Sequence, residues 1–189
     1  MIIFFGPAGA GKSVQGQILA ARKGWRWLSA GQILRDTHDT DIVKIMHEGS
    51  LVPHGRITEI MGEAISKAGD IDEIILDGFP REVAQAQWLL DSTTDHGRDI
   101  SLVIVLEVPR DELLKRLAIR GRVDDTPDAI DQRLAIYRQE MYPILGLFSD
   151  RNIPVVHVDG VGGVGEIHDR IFAEIDSRGI ISIIDKGDS

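Results

Sequence analysis

The fold is decided by the glycine-rich stretch Gly6-Pro7-Ala8-Gly9-Ala10-Gly11-Lys12-Ser13, which follows the short apolar run Ile2–Phe5. The stretch matches the pattern G-x-x-x-x-G-K-[ST] at every fixed position. Glycines allow backbone N–H groups to turn toward phosphate oxygens, and a helix that starts directly afterwards adds the positive end of its dipole. Because residues 12–22 show helical periodicity, we predict a buried strand, a phosphate-binding loop and a helix, in that order.

Four more short apolar runs are spread along the chain, at Trp25–Leu28, Glu73–Leu76, Leu102–Leu106 and Pro154–Val158. Continuous apolar runs are typical of strands that are buried on both faces of a parallel sheet. Segments of helical periodicity separate the runs, and this alternation predicts an α/β fold with a doubly wound parallel sheet of about five strands. We expect one domain over residues 1–189, with a small helical insertion at 30–61 and with ligands bound beyond the carboxyl ends of the strands.

The second half of the chain contains one long predicted helix. Thr126 and Pro127 have the chemistry of an N-cap and a first helical residue, and the helix is expected to continue to about Leu147. Pro143 is expected to break or kink it. The apolar run at 180–184 suggests packing on the body of the protein or on a partner chain, so a homo-oligomer stays open.

Composition limits the possible classes of protein. The chain has 189 residues, of which 43% are apolar and 27% charged, as in an ordinary globular protein. Its net charge of −9 disfavours a nucleic-acid-binding surface. The absence of cysteine excludes disulfides, thiol catalysis and a cysteine-built zinc site. Because no stretch approaches the roughly 20 apolar residues of a membrane span, we expect a cytoplasmic protein without a membrane partner.

Two oxygen-bearing side chains are candidates for a magnesium site. Ser13 ends the phosphate-loop motif and can offer its hydroxyl toward Mg²⁺, while Lys12 brings a point charge to the β- and γ-phosphates. Asp77 ends an apolar strand, where a carboxylate can hold Mg²⁺ directly or through water. The alternative reading of Asp77 is an ordinary polar strand terminus.

Arginines recur at positions that face the ligand edge of the predicted sheet. Guanidinium groups bind phosphate oxygens in bidentate fashion, and transfer of a phosphoryl group requires its charge to be neutralised. Arg116 and Arg120 share one helix face because they are four residues apart. The full set is Arg35, Arg81, Arg116, Arg120, Arg122 and Arg133.

Five blocks of sequence, in order along the chain, make the region from about Ile2 to Asp159 resemble the adenylate kinase family of nucleoside monophosphate kinases. The blocks are Gly6 to Lys12, Ser29-Ala30-Gly31 with Arg35, Gly49 to Pro53, Asp77-Gly78-Phe79-Pro80-Arg81 with Gln85, and Gly121 to Asp125 with Arg133. The resemblance implies reversible, Mg²⁺-dependent transfer of the terminal phosphoryl group of ATP to AMP, which gives two ADP.

The resemblance also implies roles for individual residues. Those that would bind ATP are Gly9, Ala10, Gly11, Lys12, Ser13, Val14, Arg116, Arg120 and Gly162. Those that would bind AMP are Ala30, Arg35, Ser50, Leu51, Val52, Gly78, Phe79, Pro80, Arg81, Gln85, Arg122 and Arg133. The catalytic set would be Lys12, Arg81, Arg120, Arg122 and Arg133, with Ser13 and Asp77 toward Mg²⁺.

Two residues point to different acceptor bases, so the sequence does not decide between AMP and UMP or CMP as the acceptor. Ala30 resembles the UMP/CMP kinases, whereas Gln85 resembles the residue that reads AMP. We favour AMP because a base-reading amide left without its partner costs about 1–3 kcal/mol. The alternative functions from other classes of protein are a P-loop ATPase or nucleotide switch, and a small-molecule kinase of the shikimate or gluconate type.

The chain departs from the family at the lid. Relatives insert a loop or a small domain between the positions of Arg120 and Gly121, and here the two residues are adjacent. Residues 120–125 would then be a vestigial lid link, and without cysteine no structural zinc is expected there. Lids exclude water from the transfer site. We therefore predict that water is excluded by closure of the acceptor segment or by a neighbouring subunit.

Overall fold

The structure is a computed structural model that describes residues 1–47, 52–92, 95, 97–120 and 127–180. Within these ranges five strands form one parallel sheet in the order β2-β3-β1-β4-β5. The strands are β1 (Ile2–Phe5), β2 (Arg26–Ser29), β3 (Ile74–Asp77), β4 (Leu102–Glu107) and β5 (Val155–Asp159). The predicted doubly wound parallel sheet is confirmed, and the strand with the phosphate loop lies at its centre.

Helices connect the strands. They are α1 (Lys12–Lys23), α2 (Ala30–Asp36), α3 (Thr40–His47), α4 (His54–Ser66), α5 (Val83–Asp91), α6 (Arg110–Arg120), α7 (Pro127–Asp150) and α8 (Val164–Asp176). The predicted helical insertion at 30–61 corresponds to α2, α3 and the first part of α4, apart from residues 48–51, which lie outside the described part. Among the helices of the described ranges, none is both long and apolar enough to cross a membrane.

Hydrophobic packing covers both faces of the sheet. Successive side chains of a strand point to opposite faces, and β1 follows this rule with Ile3 and Phe5 in one core cluster and Ile2 and Phe4 in the other. The first cluster joins the sheet to α2, α4, α5 and the second half of α7. The second joins it to α1, α6 and α8. Burial on both faces explains why the strands are continuous apolar runs in the sequence.

The long helix differs from its prediction at its end. Helix α7 begins at Pro127 and ends at Asp150, three residues beyond the predicted end near Leu147, and it continues through Pro143, which therefore does not break it. Proline removes one helical hydrogen bond, but the turns around it bury Met141, Ile144 and Phe148. This apolar burial stabilises the helix on both sides of the proline. Thr126, the predicted N-cap, lies outside the described residues.

A close contact between α1 and β2 leads to a stability prediction. A Cβ placed on Gly16 would lie 2.7 Å from Cδ1 and 2.9 Å from Nε1 of Trp27, so Gly16→Ala forces the indole to move. We expect a loss of about 1 kcal/mol in the free energy of unfolding, because overpacking outweighs the better helix propensity of alanine. Urea unfolding measures the change.

Gly146→Ala is the matched control for this prediction. Gly146 lies on the exposed side of α7, and a Cβ there would meet no atom within 4 Å. Alanine should therefore stabilise the protein by about 0.5–1 kcal/mol through helix propensity alone. Equal stabilisation by both substitutions would show that Gly16 is not held by the contact with Trp27.

Candidate active site

The carboxyl ends of three neighbouring strands meet at one edge of the sheet. The glycine-rich loop follows β1, Asp77 ends β3, and Ser29 at the end of β2 lies in register with Asp77. Ser29 also begins α2 as its N-cap, where its hydroxyl accepts a hydrogen bond from the Gln32 backbone N–H. Most of the residues singled out from the sequence are therefore carried by elements that leave this edge.

The loop has a backbone shape that only glycine adopts easily. Gly9 and Gly11 have φ angles of 86° and 97°, and Gly11 is the left-handed N-cap of α1. A Cβ on Gly9 would lie 2.9 Å from Cγ of Leu117, so α6 packs directly under the loop. A Cβ on Gly11 would meet nothing within 4 Å, so the loop is open on that side. Backbone N–H groups and the positive end of α1 can receive an anion there.

Lys12 bridges the base of the loop. Its ammonium Nζ donates hydrogen bonds to the carbonyl oxygens of Gly6 at 2.6 Å and Pro7 at 2.9 Å. These contacts hold a positive charge close to the loop that precedes α1. A lysine in this place acts as a point charge toward bound phosphate groups.

The structure brings together Ser13 and Asp77, the two residues that the sequence marked as candidates for a magnesium site. The Ser13 hydroxyl donates a hydrogen bond to Oδ2 of Asp77 at 2.6 Å, and Asp77 is only 4% exposed. Hydroxyl and carboxylate oxygens are hard ligands that suit Mg²⁺, which is usually bound by one or two carboxylates together with substrate phosphates. In the described ranges no group of three or more His, Asp or Glu side chains is placed to hold a metal ion by itself. Ser13 and Asp77 are therefore suited to a Mg²⁺ ion that is bound together with the phosphate groups of a nucleotide.

Arg116 joins the loop to the turn that follows β5. Its Nη2 donates to the Gly160 carbonyl at 2.8 Å, and Nη1 lies 3.5 Å from the Ala10 carbonyl. Glu112, one turn earlier on α6, accepts from Nε at 2.9 Å and orients the guanidinium. Sequence reasoning missed Glu112, although its i, i+4 spacing from Arg116 was a usable signal.

Helix α8 contributes a second cation, Arg170, which contacts the turn after β5 and which the sequence did not single out. Arg170 donates through Nη1 to the carbonyl oxygens of Asp159 at 2.8 Å and Val161 at 2.6 Å. Gly162 in this turn has a φ angle of 125°, and a Cβ there would lie 2.7 Å from Oε2 of Glu166. Arg170 and Glu166 therefore fix the backbone near the predicted ATP base site. Val14, another residue predicted to bind ATP, lies at the start of α1 and is 48% exposed.

Helix α2 presents the first part of the predicted acceptor site. Ala30 is buried at its start, and Arg35 lies in its last turn. The Arg35 guanidinium donates from Nη2 to Oε1 of Gln32 at 3.0 Å, and Gln32 in turn donates to Asp36 at 2.9 Å. Val52, which precedes α4, is buried, and its place in the acceptor base pocket stays a prediction.

The loop after β3 places Arg81 at the same edge. Gly78 has a φ angle of 75°, and the Phe79–Pro80 peptide bond is cis. Nε of Arg81 donates to the Gly78 carbonyl at 2.9 Å. Desolvation by the surrounding protein lowers the pKa of Arg81, the Asp77 carboxylate acts in the opposite direction, and the guanidinium stays charged.

Gln85 lies in the first turn of α5 and is almost completely buried. Its Oε1 accepts a hydrogen bond from the Arg81 backbone N–H at 2.8 Å, and its Nε2 donates to Oε2 of Glu82 at 3.1 Å. Phe79, which is buried in the preceding loop, lies with its ring edge-on to Trp88 of α5 at a centroid distance of 5.9 Å. The contact with Glu82 was not expected from the sequence.

An ion pair joins the two helices that flank the link 120–125. Arg110 of α6 donates from Nε to Oδ1 of Asp131 at 2.5 Å and from Nη2 to Oδ2 at 2.6 Å. This fork of hydrogen bonds lowers the pKa of the Asp131 carboxyl. The pair ties the start of α6 to the first turns of α7, which carries Arg133.

Some predicted site residues are not placed. Arg120 ends α6 and Arg133 lies in α7, but their side chains are outside the described part of the structure. Ser50, Leu51, Arg122 and the link from Gly121 to Thr126 also lie outside the described residues, as does 181–189. Their roles stay predictions.

Comparison with known proteins identifies the family. A family model described as adenylate kinase matches residues 4–153. The adenylate kinase of Thermus thermophilus is 36% identical over 184 residues, which cover 92% of this chain and 96% of that protein. The adenylate kinase of Maricaulis maris is also 36% identical, over 94% of this chain and 99% of that protein. That of Porphyromonas gingivalis is 35% identical, over 93% and 95%. The chain therefore belongs to the adenylate kinase family.

Proposed function

We propose that this phosphotransferase passes the terminal phosphoryl group of ATP to AMP, in a reversible reaction that yields two ADP. One observation carries the proposal: the phosphate loop with Lys12 and the arginine loop with Arg81 leave adjacent strands at the same edge of the sheet. A nucleotide switch or a simple ATPase has no use for a second phosphate site. A transferase needs one for each nucleotide.

The donor half of the site is proposed to bind ATP through the loop and the turn after β5. Backbone N–H groups of Gly9 to Val14 and the positive end of α1 would hold the phosphates, with Lys12 at the β- and γ-phosphates. Arg116 and Gly162 would line the base. The contacts of Arg116 with the Gly160 and Ala10 carbonyls support this role, because they hold the guanidinium between the loop and the turn.

Ser13 and Asp77 are the residues that would hold Mg²⁺, directly or through water. The ion bound with ATP would supply neutralisation of phosphate charge. Their hydrogen bond at 2.6 Å, deep at the strand edge, supports the assignment because both oxygens already face each other. No structural zinc is proposed.

The acceptor half is proposed to bind AMP. Arg35 and Arg81 would hold its phosphate, while Ala30, Val52 and Gln85 would contact its base, with Ser50, Leu51 and residues 78–80 around them. An oxygen of the acceptor phosphate is the nucleophile, so no strong general base is required. The catalytic contribution is positioning and neutralisation of charge, for which Arg120, Arg122 and Arg133 complete the set.

Water exclusion is proposed to depend on the acceptor segment 30–61 or on a neighbouring subunit, since the link 120–125 is too short to form a lid. The ion pair between Arg110 and Asp131 supports a fixed arrangement of the two flanking helices. Oligomeric state and the cytoplasmic location expected from the sequence stay predictions.

The direct test is ADP formation by the purified protein with ATP, Mg²⁺ and one monophosphate in each reaction. AMP, UMP, CMP, GMP and dTMP are compared with a control that lacks an acceptor. We expect turnover with AMP to exceed that with every other acceptor. A preference for UMP or CMP would make the buried Ala30 the deciding residue and assign the chain to a UMP/CMP kinase. No increase over the control would contradict the kinase proposal.

A further inference from the structure

The buried amide of Gln85 is held at both ends. Gln85 is 3% exposed, its Oε1 accepts from the Arg81 backbone N–H at 2.8 Å, and its Nε2 donates to the Glu82 carboxylate at 3.1 Å. Rotating the amide by half a turn would place Nε2–H against the Arg81 N–H and Oε1 against the carboxylate. Both contacts would then be repulsive, so only one orientation of the amide is compatible with its surroundings.

Glu82 supplies the charged half of this restraint. It is the N-cap residue of α5, with an extended backbone at φ −138° and ψ 153°, and its side chain makes no capping hydrogen bond. Its carboxylate is a pure acceptor, whereas an amide or hydroxyl at this place could also donate. The Glu82 carboxylate therefore opposes an orientation of the Gln85 amide that presents its oxygen toward Glu82.

A fixed amide can discriminate between bases. With one lone pair of Oε1 and one hydrogen of Nε2 already used, one acceptor and one donor remain for a ligand. This pair complements the amino group and unprotonated ring nitrogen of adenine. It opposes the carbonyl and ring N–H of hypoxanthine, which has the same size and shape. An amide that could rotate would accept both bases.

We infer that Glu82 is a specificity-determining residue, which together with the Arg81 backbone N–H fixes the orientation of Gln85 and so strengthens the rejection of 6-keto purines by the acceptor site. The inference rests on the proposed function, because it assumes that Gln85 contacts the base of the acceptor. It concerns a residue that acts through another, and Glu82 itself need not touch the nucleotide.

The test compares AMP with IMP, which differ only at the edge that the amide would read. Binding of each nucleotide to wild type and to Glu82→Gln is measured by calorimetry, and turnover of each with ATP is measured in parallel. Glutamine keeps the size of residue 82 but can donate as well as accept, so in this variant only the Arg81 backbone N–H still opposes the rotated orientation of Gln85. We expect the preference for AMP over IMP to fall by about tenfold in both measurements, the effect of one hydrogen bond of ordinary strength.

Asp91→Asn is the matched control. Gln87 donates from Nε2 to Oδ1 of Asp91 at 2.7 Å on the exposed side of the same helix. Asp91→Asn therefore removes one carboxylate charge from a glutamine–carboxylate pair, as Glu82→Gln does, but away from the acceptor site. Its AMP to IMP ratio should equal that of wild type. Glu82→Ala is a second variant, and its preference for AMP over IMP should fall by a similar factor, while both variants keep the unfolding midpoint within a few degrees.

The possible outcomes separate the inference from the function on which it rests. An unchanged AMP to IMP ratio in Glu82→Gln would overturn the inference and leave the proposed function intact. Preferential binding of AMP by wild type without turnover would overturn the proposed function, and a fall of that preference in Glu82→Gln would still support the inference. Equal losses for AMP and IMP would indicate a structural role of Glu82 and contradict a role in specificity.

Discussion

Replacing Lys12 by methionine is expected to lower kcat/KM for ATP by about two to three orders of magnitude, the effect of removing one fixed charge from a phosphoryl-transfer site. The ammonium of Lys12 lies against the carbonyl oxygens of Gly6 and Pro7, at the base of the loop that receives the phosphates. Methionine keeps the unbranched shape but brings neither the charge nor the donors. Steady-state assays with saturating AMP and varied ATP measure the effect.

The control for this prediction is Lys67→Met. Lys67 is 76% exposed and pairs with Glu63 at 3.2 Å on the far turn of α4, where a surface ion pair contributes little. Its kcat/KM should stay within about twofold of wild type. Lys12→Met also loses two hydrogen bonds, each of about 1 kcal/mol, so both variants are assayed well below their unfolding midpoints. Full activity of Lys12→Met would exclude Lys12 from the transfer step.

The phosphate loop at the centre of this site was predictable because the residues that form it are consecutive in the sequence. The loop from Gly6 to Ser13 needs glycine where φ is positive, and the structure has Gly9 and Gly11 in that conformation. The strand before it is apolar throughout because both faces of β1 are buried. Asp77 could be paired with Ser13 from the sequence because parallel strands end at a common edge.

The remaining contacts could not be predicted because they depend on how distant elements pack. Arg110 meets Asp131 across 21 residues of chain, and no local pattern marks such a pair. Glu82 and Gln85 are only three residues apart, yet the bond between them depends on the extended backbone of Glu82. Pro143 was expected to break or kink α7, and the helix continues through it because the neighbouring turns bury apolar side chains.

Arg81→Lys is expected to lower kcat/KM for AMP by about 30- to 100-fold and to leave the KM for ATP within about twofold. The Arg81 guanidinium donates to the Gly78 carbonyl from Nε, which fixes the plane of the fork at the strand edge. Lysine keeps the charge but cannot bind two phosphate oxygens in one plane. The backbone N–H that holds Gln85 is unchanged, so the preference for adenine over hypoxanthine should persist.

Arg178→Lys is the control for this substitution, because Arg178 pairs with Glu174 at 2.6 Å near the end of α8, on an element that carries none of the proposed AMP contacts. Initial rates at varied AMP and fixed saturating ATP, together with the reverse experiment, separate the two halves of the site. A selective loss for AMP would place the acceptor phosphate at Arg81. Equal losses for ATP and AMP would instead mean that Arg81 acts on the phosphoryl group in transfer, since that group belongs to both substrates in the transition state.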